Sequence, residues 1–404
     1  MAWGTNTTAV FAGAAALRLT AFYFFPSLVD FLTTQVEIST PASSFKRLKE
    51  GLFLYERGLS PYDGGVFHQT PLLLLIFSLF PAPLVFAAID LANAFALNII
   101  ANNLKLSSPR FKSLNGTLVA AAFLFNPLAI LSCLGRTTYL FTNLAIVQAA
   151  LAAATANLPR AMIALAFGAY LTMYPSLLIP PVLLLYAQAT GSTVPSRQTV
   201  LRGLVWFAAA LLILVGSTLL ITGDIGQFIR SCYGFQLTVP DLTPNIGLWW
   251  YFFTEIFDSF REFFIGVFWL HMAGYVGGLT IRLYKEPWFV LTTLLGLFAV
   301  FKPYPSVADV SLYFGFLPLY HHIIPLTRYT FIAASVVLYS SLLGPAFYYL
   351  WIYAGSGNAN FFFAITLVWS LGLSILIGDS LFAVLRDEWE VERPEMKGMD
   401  VRRI

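Results

Sequence analysis

Apolar stretches recur along this chain about every thirty residues, most of them close to twenty residues long, and they decide its fold before anything else does. A helix that crosses a bilayer needs about 20 apolar residues, with a range of about 17–25. Twelve segments meet or approach that length: 8–26, 83–101, 115–134, 138–156, 160–176, 177–190, 203–222, 263–281, 288–301, 306–325, 328–353 and 360–385. Two of them, 177–190 and 288–301, are short. Only 11% of the residues are charged, where soluble domains carry roughly 25%. An all-α polytopic membrane protein of about 12 transmembrane helices is the fold class this predicts. A net charge of +3 without a basic, aromatic-interleaved run argues against a nucleic-acid partner. The first apolar stretch lacks a basic leader and a small-residue cleavage site, and reads as a retained span.

Charge orients the chain. Basic residues gather near 102–113 (Lys105, Arg110, Lys112), 191–202 (Arg197, Arg202), 282–286 (Arg282, Lys285) and the tail from Arg386. These fall on one side only if the short run 72–80, which ends at Pro81-Ala82-Pro83, is a half-helix that does not cross. The positive-inside rule makes that side cytoplasmic. Segments 27–82, with the half-helix, and 223–262 then lie on the opposite, luminal face, and 386–404 is a cytoplasmic tail. No linker or repeat divides the chain, so 1–404 reads as a single membrane domain.

The luminal segments carry the chemistry. Residues 60–71 are a polar, turn-rich island in which Pro61, Gly64, Gly65 and Pro71 break regular structure and Tyr62, Asp63, His68 and Gln69 offer hydrogen bonds. Non-helical polar backbone at a membrane boundary must be satisfied by protein or water, so the island is a candidate site. Segment 42–57 places Phe45, Leu48, Leu52 and Tyr55 at helical spacing and predicts an amphipathic surface helix. Segment 247–262 predicts a second, with Trp249, Trp250, Tyr251, Phe252 and Phe253 suited to the headgroup level.

Several residues admit both a binding role and a structural one. His68 could meet a phosphate or glycan, or fix its loop by a hydrogen bond. Asp241 to Gly247 (DLTPNIG) has the chemistry of a capped turn, and Asn245 at such a helix start could also face a phosphate. Trp249 and Phe253 could anchor the membrane or cover acyl chains. Asn358 and Asn360, beside glycines at the start of the last span, could donate to a lipid headgroup, or Asn360 could simply cap the helix. Arg197 and Arg202 suit anionic cytoplasmic headgroups. Asp90, Asp309 and Asp379 lie in or near spans and need partners. Arg136 could pair with an acid or a lipid phosphate. Asn126-Pro127 predicts a kink lining a cavity. Cys133 and Cys232 stand alone, as packing residues or a luminal disulfide. The histidines show no metal-ligand spacing, so no metal or cofactor is expected.

In order along the chain run Val36-Glu37, Ser60-Pro61-Tyr62, Val66-Phe67-His68 with Thr70-Pro71-Leu72, DLTPNIG from Asp241, Trp250 to Phe253, Lys302-Pro303-Tyr304-Pro305, the stretch around Asn358 and Asn360, and Leu385-Arg386-Asp387-Glu388. This set resembles the PIG-U family, the multispan subunit of the glycosylphosphatidylinositol (GPI) transamidase, and more loosely the polytopic glycosyltransferases that use lipid-linked sugars. Those enzymes carry paired acids in the first luminal loop. Here Glu37 stands at the first position and Ser39 replaces the second. The resemblance therefore implies a non-catalytic subunit in the endoplasmic reticulum membrane. It would hold a GPI lipid through Asn358, Asn360, Asn245, His68, Trp249 and Phe253. A caspase-like partner subunit would supply the nucleophilic cysteine, and other subunits and phospholipids would be further partners. A dolichol-linked mannosyltransferase with Glu37 as base, and a purely structural scaffold, are the alternatives. A transporter would need internal repeats that the chain lacks.

Overall fold

The computed structural model describes residues 5–106, 108–112 and 114–399. Each of the twelve expected spans falls on helix, and no strand occurs among the described residues. Six of the described helices are long and apolar enough to cross a membrane: Thr5–Phe24, Ala82–Asn103, Arg197–Thr222, Asp258–Arg282, Thr330–Ile352 and Ala359–Glu392. Gly116–Leu124 and Pro127–Leu134 make a seventh if counted as one broken span. The other apolar helices are shorter: Tyr139–Ala154, Leu158–Leu171, Tyr174–Ala189 and Pro287–Phe301. The last expected span but two divides into Val307–Phe316 and a tighter helical stretch, Leu317–Leu326.

Length and position are related. The short helix Pro287–Phe301 is buried along nearly its whole circumference, and Tyr139–Ala154 almost as fully. Arg197–Thr222, Asp258–Arg282 and Thr330–Ile352 are mostly exposed apolar surface. A helix that is apolar all round must be covered by protein or by lipid, and this chain does both. The short helices form the core and these three long ones its rim, while Ala82–Asn103 and Ala359–Glu392, each about half buried, lie between.

Charges inside the body are paired. Arg18 and Asp90 are both fully buried and join Thr5–Phe24 to Ala82–Asn103, with Arg18 Nε donating to Asp90 Oδ2 over 2.6 Å. Two further Arg18 nitrogens reach the carbonyls of Ala14 and Leu124. Arg18 was not singled out in the sequence because one cation in a twenty-residue apolar run reads as tolerable. Lys302 and Asp309 form a second buried pair at 2.6 Å. The Lys302 ammonium also lies 3.7 Å from the Tyr139 ring centre and 4.5 Å from that of Tyr174. Asp309 is the acidic member of a capping box with Ser306, which starts Val307–Phe316. Asp379 accepts from the backbone N–H groups of Arg328 and Tyr329, where Thr330–Ile352 begins.

The remaining local expectations fare differently. The amphipathic helix is Phe45–Glu56, capped by Ser44, with Phe45, Leu48 and Gly51 on its buried face. The half-helix is Pro71–Leu79. At Asn126-Pro127 the chain bends by 56°, and the Asn126 side chain caps the new helix at Leu128 N–H. The single amphipathic helix expected over 247–262 is instead two pieces. Trp249–Glu255 ends at an extended Ile256, and Asp258 opens the long rim helix Asp258–Arg282. The aromatic residues also differ from the expected headgroup anchor, because Trp249, Trp250 and Phe253 are buried. Trp249 and Phe253 pack on Phe268 and Trp250 on Trp351 and Phe362, so protein covers the rings before lipid can. Both cysteines are free thiols and both are buried.

Breaking a buried pair leaves an uncompensated charge, which costs roughly 3–5 kcal/mol, whereas replacing both members with apolar residues is often close to neutral. Arg18→Met alone is therefore expected to lower the thermal unfolding temperature in detergent sharply, and Arg18→Met with Asp90→Leu to recover most of the loss.

Candidate functional site

At one end of the helical body the irregular segments hydrogen-bond to one another. Gln69 Nε2 donates to the Ser44 carbonyl (2.8 Å), and Gln69 Oε1 accepts from Thr138 Oγ1 (2.8 Å). The Gln69 carbonyl accepts from the Tyr62 hydroxyl (3.0 Å) and the Cys232 thiol (3.2 Å). Gln227 bonds both Ser60 and Asp63. The polar island thus closes onto segment 224–238. Arg47 of the amphipathic helix pairs with Asp241 at 2.7 Å. Tyr304 Oη donates to the Asp241 carbonyl, and Tyr139 Oη donates to the Tyr304 carbonyl. Burial alone would raise the Asp241 carboxyl, but the Thr243 hydrogen bonds and Arg47 outweigh it and hold the group below the usual carboxylate range.

The DLTPNIG turn is held from within. Asn245 is fully buried; its Oδ1 accepts from Gly247 N–H (2.7 Å) and its Nδ2 donates to the Thr243 carbonyl (3.2 Å). A Cβ at position 247 would lie 2.6 Å from Pro305 Cδ, so glycine is needed for the turn to reach the Lys302–Ser306 segment.

Beside this layer lies a cavity of about 240 Å³. Phe31, Leu32, Gln35, Glu37 and Ile38 form one wall, and Leu128 and Leu131, just after the Asn126-Pro127 kink, form another. Ser340, Ser341, Gly344 and Pro345 face Phe362, Ile365, Thr366 and Trp369 on the neighbouring helix, with Ile246 and Val307 completing the lining. Two polar atoms there are buried without a hydrogen-bond partner, Glu37 Oε1 and Trp369 Nε1. Burial pushes the Glu37 carboxyl up to about 7, and a hydrogen bond from its own backbone offsets this only in part. Its carbonyl is fixed by Val307 N–H at 2.9 Å.

The residues singled out in the sequence fall around this cavity rather than in it. None of Asn358, Asn360, Asn245, His68, Trp249 and Phe253 lines it. Asn245 precedes Ile246 of the wall. Asn358 caps the helix that carries Phe362, accepting from the N–H groups of Asn360 and Phe361. The cap is thus Asn358 and not Asn360, because its side chain reaches back over the first turn. Asn360 Oδ1 accepts from the Tyr251 hydroxyl. Trp249 Nε1 donates to the Phe301 carbonyl (2.7 Å), and Phe253 lies beside Trp249. Trp250 stacks on Trp351, tying the aromatic helix to the cavity's far wall. His68 stacks on Phe235 and bonds the Ser231 carbonyl through Nδ1 at 3.0 Å. A carbonyl only accepts, so Nδ1 carries the proton and Nε2 is left as an acceptor. Arg136 pairs with Asp30 at 2.7 Å. Arg197 and Arg202 are exposed near the start of Arg197–Thr222. Sequence reasoning missed Ser340, Ser341, Thr366 and Trp369; the signal was there only as one-sided spacing of Phe362, Ile365, Thr366 and Trp369 along a helix.

A family model described as GPI transamidase subunit PIG-U matches residues 12–369. The chain belongs to the PIG-U family. Among its relatives, a Saccharomyces cerevisiae protein named GPI transamidase component GAB1 is 35% identical over 392 residues, covering 95% of this chain and 96% of the relative. A Homo sapiens protein named GPI-anchor transamidase component PIGU is 36% identical over 404 residues, covering 93% of each chain. The match therefore takes in both the polar layer and the cavity walls of this PIG-U-family chain.

The His68 environment has a measurable consequence. Burial lowers its pKa to about 4, against the opposing pull of the Ser231 carbonyl, with Arg47 lowering it further and Asp241 raising it. A folded-state value below the unfolded value of about 6.5 means the unfolded chain binds the extra proton first. Stability from this group is complete above pH 6.5 and is lost as pH falls toward 4. Unfolding temperatures measured across that window should fall less steeply for His68→Phe than for the unaltered protein.

Proposed function

We propose that this chain is a non-catalytic subunit of a GPI transamidase in the endoplasmic reticulum membrane. In that role it holds the GPI lipid for attachment to protein C-termini. The observation that carries the reading is the cavity beside the polar layer. It joins apolar walls suited to acyl chains to unpaired polar atoms suited to a headgroup, in a chain whose relatives are named as transamidase components. The lipid's chains would lie between Leu128, Leu131, Phe362 and Ile365. The phosphate and glycan would extend toward Asn358 and Asn360, with Asn245, His68, Trp249 and Phe253 supporting that edge from behind.

Catalysis would reside in a caspase-like partner. In support, both cysteines here are buried free thiols, and burial pushes the Cys232 thiol up to about 12, far from a nucleophilic thiolate. The fold would be the twelve-span architecture of the lipid-sugar glycosyltransferases, in which four short helices cross inside the protein core. The polar layer would be luminal, both termini cytoplasmic, and Arg197 and Arg202 would rest on anionic headgroups.

Gly344 faces open space in the cavity wall, and a Cβ there meets nothing within 4 Å. Gly344→Leu should therefore fill the cavity without disturbing the helix. The expected outcome is loss of most GPI attachment in cells lacking the native subunit, with the complex still assembled on immunoprecipitation. Asn360→Leu, which spares the Asn358 cap, should reduce attachment several-fold. Normal attachment in Gly344→Leu would favour the scaffold alternative. Loss of a mannosylation step in Glu37→Gln would favour the glycosyltransferase one.

A further inference from the structure

The polar groups of the cavity are nearly all acceptors. Ser340 Oγ donates its proton to the Val336 carbonyl at 2.8 Å, and Ser341 Oγ donates to the Val337 carbonyl at 2.6 Å. Thr366 Oγ1 donates to the Phe363 carbonyl at 2.8 Å. Each hydroxyl has thus given its one proton to its own helix and keeps lone pairs that can accept. Gln35 commits an amide N–H to the Phe31 carbonyl. Glu37 adds a carboxyl whose Oε1 is buried and unpartnered. The sole unsatisfied donor among these lining groups is Trp369 Nε1.

A cavity lined by a carboxyl with a buried, unpartnered oxygen and by three hydroxyls that can only accept complements a group with several donors and a positive charge. A phosphate finds few donors in that set, Trp369 Nε1 and, only when protonated, the Glu37 carboxyl, and it otherwise meets acceptors. A sugar hydroxyl satisfies one acceptor and leaves the carboxyl unpaired. A primary ammonium brings three donors and a charge.

We infer that the cavity recognises a primary ammonium in the head group of its lipid, with Glu37 as the counter-charge and Ser340, Ser341 and Thr366 as further acceptors. The inference rests on the reading of the cavity as a lipid site and names the chemical group that the site selects. Burial holds the empty-site carboxyl near neutrality. An incoming ammonium favours the carboxylate, so the charge is formed where it is paired. The apolar walls of Leu128, Leu131 and Phe362 supply affinity for the tails, and the acidic end supplies choice among headgroups. Two lipids bring this chemistry: a glycolipid with a free amine on its glycan, and an ordinary phospholipid with an ethanolamine headgroup.

The test uses the full chain purified with its partner subunits and placed in lipid nanodiscs. Bound lipid is read by native mass spectrometry in competition between free-amine and N-acetylated forms. The probes are a GPI and phosphatidylethanolamine, each in both forms. The unaltered protein should prefer free-amine forms by at least about tenfold, the size of one charge-assisted hydrogen bond. Glu37→Gln should lose that preference and bind the free-amine and N-acetylated forms alike. Glu37→Asp, which keeps a shorter carboxylate, should retain part of it. Preference for GPI over phosphatidylethanolamine assigns the ammonium to the glycolipid, and the opposite preference assigns it to the phospholipid headgroup. An undiminished preference in Glu37→Gln overturns the inference. Gly344→Leu separates this failure from that of the underlying reading. If it leaves all lipid binding unchanged, the cavity is not the lipid site. If it abolishes binding while Glu37→Gln keeps the preference, the site stands and Glu37 is not its selector.

Discussion

A chain this apolar cannot leave helix without finding another irregular segment to bond, and that requirement organises the molecule. Where backbone lacks water, every unpaired N–H or C=O costs several kcal/mol. Ser43 and Ser44, Gln69, Thr138, Cys232, Asp241 and Tyr304 come from distant stretches of the chain, and each bonds another of the set at the same end of the body. Gln69 is the hub, satisfied at both side-chain atoms and at its carbonyl. The polar layer that results is the only place where the first loop, the DLTPNIG turn and the Lys302–Ser306 segment all meet among the described residues.

The cavity is a consequence of that layer. The Asn126-Pro127 kink turns Leu128 and Leu131 toward Ile38, while Val307 N–H pins the Glu37 carbonyl. The aromatic helix Trp249–Glu255 packs on the last helix pair through Trp250, which meets Trp351 and Phe362. The cavity lies between this helix pair, the first loop and Leu128 and Leu131. A buried carboxyl in such a gap is costly unless something pairs with it, and Glu37 is the one acid of the first loop held there.

Acids inside the body divide by whether the chain supplies their partner. Asp90 has Arg18, Asp309 has Lys302 and Ser306, and Asp379 has two backbone N–H groups. These are structural devices that fasten helices. Glu37 forms no ion pair among the described residues, and its Oε1, like Asp90 Oδ1, has no hydrogen-bond partner.

Much was readable from the sequence by itself, for reasons that are local. Apolar run lengths gave the helices, Ser44 and the 45–55 spacing gave the amphipathic helix, Asn126-Pro127 gave the kink, and Pro71 with Pro81 bounded the half-helix. Motif order carried the family. Each of these depends on residues within a few positions of each other. Only the tertiary structure decided the rest. It divided the 247–262 helix at Ile256, buried Trp249 and Phe253, chose Asn358 over Asn360 as the cap, and turned His68 into a neutral ring. It also assembled a cavity from residues between 31 and 369. Composition specifies that a segment is apolar, but whether protein or lipid covers it depends on neighbours hundreds of residues away, and so does whether a carboxyl finds a partner.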